Sequence, residues 1–235
     1  MSVLEIRSLR THIRTPGGLA RAVDGVDLEI GQGEAVGLVG ESGSGKSVLG
    51  LSILRLLPHG EAHILPGSSI RFRGEELVDM GSRRLRQVRG GEIAMVFQEP
   101  ATSLNPVFTI GHQILEVLKL HRSVSGRTAR QEAIQLLEEV DLPDPARHLT
   151  SFPHELSGGM RQRAMIAMAL ACNPRILIVT PEVTYIPNGM SNFAHCLSAK
   201  AGGLADVSAA LVAALFEQGA DIHIALPNYR SIFDD

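Results

Sequence analysis

The chain has 235 residues and a formal net charge of −3 at pH 7, so its composition gives no overall basic field that would favour a nucleic-acid partner. Its length suits one large domain or one and a half smaller ones. Its two cysteines, Cys172 and Cys196, lie far apart without a CxxC pattern, which favours reduced thiols over a metal site.

The first half of the chain reads as strands, a glycine-rich loop and a helix. Apolar or alternating runs predict strands at residues 3–6, 26–30 and 35–39. The third strand leads directly into Gly40-Glu41-Ser42-Gly43-Ser44-Gly45-Lys46-Ser47. A mostly apolar helix is predicted at residues 46–57, before Pro58.

The loop fits the phosphate-binding pattern GxxxxGK[ST]. Its glycines let backbone N–H groups approach phosphate oxygens, and the following helix points its positive end at the same anion. Lys46 is predicted to reach the β- and γ-phosphates of ATP, and Ser47 to offer its hydroxyl to Mg²⁺. The alternative is a plain glycine-rich turn. The predicted nucleotide contacts here are Gly40, Ser42, Gly43, Gly45, Lys46 and Ser47.

The second half begins with strands at residues 69–73 and 93–97, the latter followed by Gln98. Residues 110–140 have helical periodicity, and a strand is predicted at 176–179. Between them stands Leu156-Ser157-Gly158-Gly159-Met160-Arg161-Gln162-Arg163, with Ser157 as the cap of a helix that runs through Ala171. Free N–H groups at that helix start predict a second anion site, and a plain helix cap with a tight turn is the alternative.

Four strings together carry a family resemblance over residues 3–177. Besides the two glycine-rich strings, they are residues 22–26 (AVDGV) and 95–106 (MVFQEPATSLNP), and FPHE precedes the second glycine-rich string. With them the chain resembles the ATP-binding subunits of ABC importers, and is most similar to the oligopeptide, dipeptide and nickel branch. The resemblance implies an α/β fold: a P-loop NTPase core with a helical subdomain at about residues 100–172.

The resemblance also implies how the site works and with which partners. ATP and Mg²⁺ would be the cofactors, with Ser47 and Gln98 as metal ligands and Gln98 coupling the attacking water to a transmembrane partner. Ser157, Gly158 and Gly159 would contact ATP held by the other subunit of a homodimer or heterodimer. Permease subunits would be the membrane partners and peptides or similar small solutes the cargo.

The expected localisation is cytoplasmic, peripheral on the inner face of the cell membrane. The first seven residues carry charges where a signal peptide needs an apolar run, and the longest apolar stretches are too short to span a bilayer. Membrane contact would therefore be made through a partner.

The family pattern breaks after the strand at 176–179. The family has Asp-Glu there, for Mg²⁺ and for the attacking water, but this chain has Thr180-Pro181 followed by Glu182. Thr180 brings no negative charge, proline cannot act as a base, and no general base is found elsewhere. Losing a general base typically costs ~10²–10⁴ in rate. We therefore expect ATP binding with weak or no hydrolysis.

Residues 178–235 read as a strand, loop, helix and strand, with the helix at 206–218 and the last strand at 220–226. Val179-Thr180-Pro181-Glu182-Val183 and the string from Lys200 to Val207 (KAGGLADV) resemble the first βαβ unit of bacterial glycogen or starch synthases. This implies that Lys200, Gly202 and Gly203 hold the diphosphate of an ADP- or UDP-sugar. A structural glycine turn is the alternative.

Three functions stay open at this point. The first is an ABC importer ATP-binding subunit at residues 1–177, impaired in hydrolysis and joined to a foreign tail. The second is a fragment of a nucleotide-sugar glucosyltransferase with an unrelated head. The third is a nucleotide-binding module that docks a permease without hydrolysing ATP. The junction near 176–180 has four possible origins: a natural fusion, a deletion, a deliberate chimera or an error in sequence assembly.

Overall fold

A computed structural model describes residues 2–38, 43–97 and 103–179. Contacts divide these residues into two units, residues 2–85 and residues 86–179, which are described separately. The βαβ segment predicted at residues 178–235 lies outside the described residues, except for its first two positions. The domain boundaries expected from the sequence therefore stay a prediction.

The first unit is an antiparallel sheet built on a long hairpin. Strands β1 (Ser2–Thr15) and β2 (Gly18–Gly31) pair along their length. Both are longer than the runs predicted from the sequence. On the other side of β1 lie β3 (Ala62–Ile64) and β4 (Ser69–Phe72), and β5 (Glu75–Glu76) pairs with β4.

A bulge in β1 explains why simple alternation predicts only its first part. Leu4 and Ile6 are fully buried, whereas beyond the bulge the buried positions are Leu9 and Thr11. The register shifts between Ile6 and Leu9, where Ser8 takes a φ of +46°. The inward face therefore changes from even to odd positions, which disrupts a period of two.

The helix after the phosphate loop is shorter than predicted. Helix α1 (Lys46–Ile53) stops four residues before the predicted end because Arg55 takes the left-handed conformation, with φ +52°. The Arg55 guanidinium donates to the Leu77 oxygen at 3.2 Å and to the Met80 oxygen at 2.6 Å. These bonds to the chain after β5 hold the helix end in place.

The strand predicted just before the phosphate loop is wrong over the residues that the structure describes. Residues 35–38 have no regular secondary structure, and Leu38 is 49% exposed. A strand exists only when a neighbour completes its hydrogen-bonded ladder, and no described strand runs beside this segment. Val39 lies outside the described residues.

The second unit combines a parallel strand pair with helices. Helix α2 (Ser82–Gly91) leads into it, and β6 (Ile93–Val96) pairs in parallel with β7 (Ile176–Val179), both close to their predicted positions. The predicted helical stretch 110–140 forms two helices, because Ser123 takes φ +55° after the first. The remaining helices are α3 (Ile110–Arg122), α4 (Gly126–Glu139), α5 (Pro145–His148) and α6 (Gly158–Leu170), with a 3₁₀ turn at Pro153–Glu155.

These helices share one apolar core. Ile110, Ile114 and Leu118 recur every four residues on α3 and are fully buried. Ala133 and Leu137 of α4 pack into the same cluster. Within the described parts of the chain, no helix is both long and apolar enough to cross a membrane.

Candidate functional site

The start of α1 is a turn that only glycine can make. Gly45 caps the helix with φ +93°, and its carbonyl accepts the Leu49 N–H at 2.8 Å. A Cβ added to Gly45 would lie 2.0 Å from the backbone oxygen of Ala22 in β2. Both the backbone conformation and this close approach exclude a side chain.

The described groups that are predicted to hold phosphate lie at this turn. Lys46 Nζ donates to Ser44 Oγ at 3.2 Å, and Ser47 is exposed on the first turn of α1. No acidic residue occupies that first turn, so no carboxylate of the helix neutralises its positive end. A Cβ at Gly43, with φ +82°, would meet no atom within 4 Å. Among the described residues nothing fills the space at Gly43, which suits binding of an anion such as the phosphates of a nucleotide.

A buried hydrogen bond fixes α1 against the sheet. Thr11 Oγ1 of β1 and Ser52 Oγ of α1 lie 2.9 Å apart, and both residues are fully buried. Ser52 Oγ also donates to the Val48 oxygen at 2.6 Å. This pair holds the helix that carries Lys46 and Ser47, so it supports the site without facing it.

The second glycine-rich string begins α6 as predicted. Ser157 Oγ accepts the Met160 N–H at 3.3 Å, and the Ser157 carbonyl accepts the Arg161 N–H at 2.9 Å. Leu156 is only 4% exposed, which anchors the start of the helix. Gly158 and Gly159 are exposed, and a Cβ on either would meet nothing within 4 Å.

The arginine that ends the second string has a packing role in this chain. Arg163 donates to the Val140 oxygen at 2.6 Å and lies 3.9 Å from an oxygen of Asp141. It therefore joins α6 to the end of α4. The adjacent Gln162 is 6% exposed, so this turn of α6 faces the helical core.

Several predicted site residues fall outside the described residues. These are Gly40, Ser42, Gln98, Thr180, Pro181, Lys200, Gly202 and Gly203. The described residues contain no group of three or more His, Cys, Asp or Glu side chains that could hold a metal ion. The prediction of Mg²⁺ therefore depends on Ser47, Gln98 and the phosphates of ATP.

Sequence reasoning gave no role to Ala22, Thr11 or Ser52. Ala22 acts through its backbone oxygen, which any residue type would supply, so composition offers no signal for it. Thr11 and Ser52 are separated by 41 residues and meet only in the folded unit.

The expectation for Cys172 agrees with its surroundings: it is a free cysteine, and burial raises the pKa of its thiol, which makes it a poor nucleophile.

Two family models match the chain in adjoining segments. A model described as "ABC transporter" matches residues 23–179, and one described as "Starch synthase catalytic domain" matches residues 175–235. The two matches overlap only at 175–179, which contains β7. The resemblances inferred from the sequence are thereby confirmed at the level of family.

Curated relatives agree over about three quarters of the chain. A putative peptide import ATP-binding protein of Brucella abortus (strain 2308) is 52% identical over 182 residues, which is 77% of this chain and 54% of the relative. A probable peptide ABC transporter ATP-binding protein of Sinorhizobium fredii is 50% identical with the same coverage. The chain thus spans about half the length of the curated relatives it matches.

Solved structures share the fold at low identity. The dimeric, post-hydrolysis ATP-binding cassette MJ0796, bound to ADP and Pi, superposes with a TM-score of 0.71 and 24% identity, covering 94% of this chain and 86% of that one. CbiO1 of Clostridium perfringens, part of the ABC transporter complex cbiONQ, superposes with a TM-score of 0.65 and 21% identity. That match covers 97% of this chain and 79% of CbiO1. These two show the fold alone. Taken with the family match over residues 23–179 and the 52% identity, they lead to one conclusion: the chain belongs to the ABC transporter family.

Proposed function

We propose that the chain binds ATP with Mg²⁺ as the ATP-binding subunit of a peptide importer, and that it hydrolyses this ATP weakly or not at all. The observation that carries the nucleotide site is the start of α1, where Gly45 approaches the Ala22 oxygen and leaves the turn open to an anion. The relatives named for peptide import support the choice of transported substrate.

In this proposal the α1 turn binds the phosphates by charge and by backbone donors. Lys46 moves from Ser44 Oγ to the β- and γ-phosphates, and the positive end of α1 adds to its charge. Ser47 and Gln98 hold Mg²⁺, which neutralises charge on the phosphate oxygens when it is bound. Each of these groups binds and orients ATP, and none of them can take a proton from water.

The start of α6 serves a second ATP-binding subunit. Its glycines are not needed for packing against the part of the chain that the structure describes, since a Cβ on either would meet no atom within 4 Å there. A nucleotide that approaches from another subunit would account for their small size, and Ser157 would add a hydroxyl. Permease subunits complete the assembly at the inner face of the membrane, and the dimeric cassette MJ0796 supports the pairing.

Hydrolysis fails in this proposal because of the residues after β7. That strand ends at Val179, and the next two residues are Thr180 and Pro181 instead of Asp and Glu. Neither can polarise the attacking water as a carboxylate does, so the rate falls by the ~10²–10⁴ typical of a lost general base. ATP binding depends on α1 and is retained.

Nucleotide binding is tested by titrating the purified chain with ATP and Mg²⁺ and measuring the dissociation constant. Lys46→Ala should weaken ATP binding at least tenfold, because a charge-assisted contact to phosphate is lost. Lys119→Ala, at an exposed lysine of α3, is the matched control and should bind like the parent. Equal affinity of the parent and the Lys46→Ala variant would refute the site.

Hydrolysis is tested by phosphate release. The parent should turn over far more slowly than ~1 s⁻¹, which is already at the low end for enzymes. The double variant Thr180→Asp with Pro181→Glu should raise the rate. Turnover of ~1 s⁻¹ or more in the parent, abolished by Lys46→Ala, would show that the missing acidic pair does not limit this protein. A double variant that stays inactive would argue against its absence as the main defect.

A second candidate is binding of a nucleotide-sugar by the tail. The match of residues 175–235 to the starch synthase catalytic domain favours it. ADP-glucose should then stabilise the chain against heating, and Lys200→Ala should remove that stabilisation while leaving the one given by ATP. If ATP drives pairing without turnover and ADP-glucose has no effect, the chain is a nucleotide-binding docking module.

A further inference from the structure

A half-open cavity lies within the second unit, between the start of α3, helix α4 and the chain that follows α5. Its volume is about 250 Å³, just below the ~300–1,000 Å³ of pockets that hold drug-sized ligands. Two basic side chains, two threonines, two leucines and one glycine line it, and no Asp or Glu of the described residues does so. This lining suits a small ligand with a negative charge and an apolar part.

Backbone contacts fix the wall of the cavity at the start of α3. The Ile110 N–H donates to the Ser151 oxygen at 2.9 Å, and the Gly111 N–H donates to the Leu149 oxygen at 2.9 Å. A Cβ on Gly111 would lie 2.5 Å from that Leu149 oxygen, so only glycine allows α3 to approach so closely. The cavity is therefore preformed, which lowers the cost of ordering it around a ligand.

The amides at the start of α3 are already used within the unit. Besides Ile110 and Gly111, the His112 N–H donates to Thr109 Oγ1 at 3.2 Å, and the Gln113 N–H donates to the Thr109 oxygen at 3.2 Å. The positive end of this helix therefore offers no free backbone donor. An anion in the cavity has to be bound by side chains.

Arg130 of α4 supplies the charge for such binding. It is exposed, and within the described ranges its guanidinium has no ion pair or side-chain hydrogen bond. By contrast, Arg122 of α3 lies 3.0 Å from a carboxylate oxygen of Glu132. The second basic residue of the lining, His112, has its ring stacked on Phe108 with centroids 4.6 Å apart. The Arg130 guanidinium is thus available to bind a carboxylate through two parallel hydrogen bonds.

The two threonines of the lining have complementary hydrogen-bonding capacities. Thr109 Oγ1 accepts an amide of α3, so its own proton can be donated to a ligand. Thr150 Oγ1 donates to the Arg147 oxygen at 2.8 Å, so its lone pairs can accept from a ligand. Leu115 and Leu149 add apolar surface. The cavity therefore combines a cation, a donor, an acceptor and an apolar wall.

We propose that this cavity binds the C-terminal end of a short peptide with an apolar last residue. Arg130 and Thr109 bind the carboxylate, Thr150 accepts the N–H on the same α-carbon, and Leu115 and Leu149 contact the apolar side chain. The inference does not rest on ATP binding, hydrolysis or import, because it uses only residues of α3, α4 and the chain after α5.

The proposal is tested by following backbone amide signals of the full chain by NMR during titration with N-acetyl-leucine. The Gly111 and Leu149 signals should shift, and N-acetyl-leucine amide, which lacks the charge, should bind at least about tenfold more weakly. Arg130→Gln should raise the Kd for the acid by a similar factor. Arg127→Gln is the matched control, because it removes the same charge from an exposed position of α4 outside the lining, and its Kd should stay within about twofold.

A second variant tests the N–H contact separately from the charge. Thr150→Val keeps the shape of the side chain and should raise the Kd for N-acetyl-leucine roughly threefold. It should leave the Kd for 4-methylpentanoate unchanged, because that acid has the same apolar part but no N–H. An equal change for both acids would contradict the assignment of Thr150.

Three results would overturn the site as a whole. The first is equal affinity for N-acetyl-leucine and its amide, and the second is an unchanged Kd in Arg130→Gln. The third is a set of shifts confined to the start of α1, which would place the ligand at the proposed nucleotide site. An equal loss of affinity in Arg127→Gln would also refute the proposal, because the overall charge of α4 would then explain the binding.

Discussion

The starts of α1 and α6 are two glycine-rich turns that depend on glycine for different reasons. At α1, Gly45 has φ +93° and its missing Cβ leaves room for the Ala22 oxygen. At α6, a Cβ on Gly158 or Gly159 would meet no atom of the described residues within 4 Å. The chain's own fold requires the first glycine, whereas under the proposed function the other two leave room for a nucleotide held by another subunit. Similar strings in a sequence can thus reflect an internal and an external constraint.

The largest effect is expected from a substitution at Gly45, where the fold itself requires glycine. Gly45→Ala adds a methyl group that overlaps the Ala22 oxygen and places alanine in the left-handed conformation. The left-handed backbone costs ~1–2 kcal/mol and overpacking ~1–3 kcal/mol, so the free energy of unfolding should fall by about 3 kcal/mol, with loss of ATP binding. Urea denaturation measures the change.

Gly159→Ala is the matched variant for the external constraint. Alanine favours a helix over glycine, so the free energy of unfolding should stay the same or rise by about 0.5 kcal/mol. ATP-dependent pairing, followed by light scattering, should weaken because in the proposed dimer the added methyl would face the second nucleotide. A large loss of stability would contradict the idea that this glycine serves only a partner.

The buried support of α1 gives the next largest effect. Ser52→Ala removes the partner of the fully buried Thr11 hydroxyl and leaves it unsatisfied. We expect a loss of about 1–3 kcal/mol in the free energy of unfolding. Thr11→Val with Ser52→Ala removes both partners and should recover part of that loss. Equal stability of the Ser52→Ala variant and the parent would show that α1 is held by other contacts.

The cap of α6 separates stability from binding. Ser157→Ala removes the bond to the Met160 N–H and should cost about 1 kcal/mol. Ser157→Asp keeps a good cap and should restore the stability, yet its charge should repel the phosphate of a second nucleotide and abolish ATP-dependent pairing. If Ser157→Asp paired normally, the anion site at α6 would be wrong.

The smallest expected effect is the pH dependence of stability that comes from Glu76 in β5. Burial raises the pKa of Glu76, but hydrogen bonds from Ser69, Ile70 and Val78, together with the charge of Arg71, outweigh it and hold the pKa below the ordinary 4.5. Because the folded pKa is lowered, this contribution to stability is present above pH 4.5 and is lost as the pH falls below it.

The Glu76→Gln variant should therefore be less stable than the parent at pH 7. Its unfolding temperature should also fall less than that of the parent as the pH is lowered. Thermal unfolding between pH 7 and pH 3 measures both. Ser69→Ala removes only the bond between Ser69 Oγ and Glu76 Oε2, of 2.5 Å, and should keep an intermediate pH dependence. Identical pH profiles for the parent and the Glu76→Gln variant would contradict the role of this carboxylate.

The sequence by itself determined the features that are local or carried by short strings. Ser157 as a helix cap, the strand at 176–179, the family and the missing acidic pair follow from neighbouring residues. Only the tertiary structure decided the bulge at Ser8, the end of α1 at Arg55, the lack of a strand at 35–38 and the close approach of Ala22 to Gly45. Each of these depends on backbone groups or side chains far apart in the chain, and residue type alone does not encode which distant partner meets which.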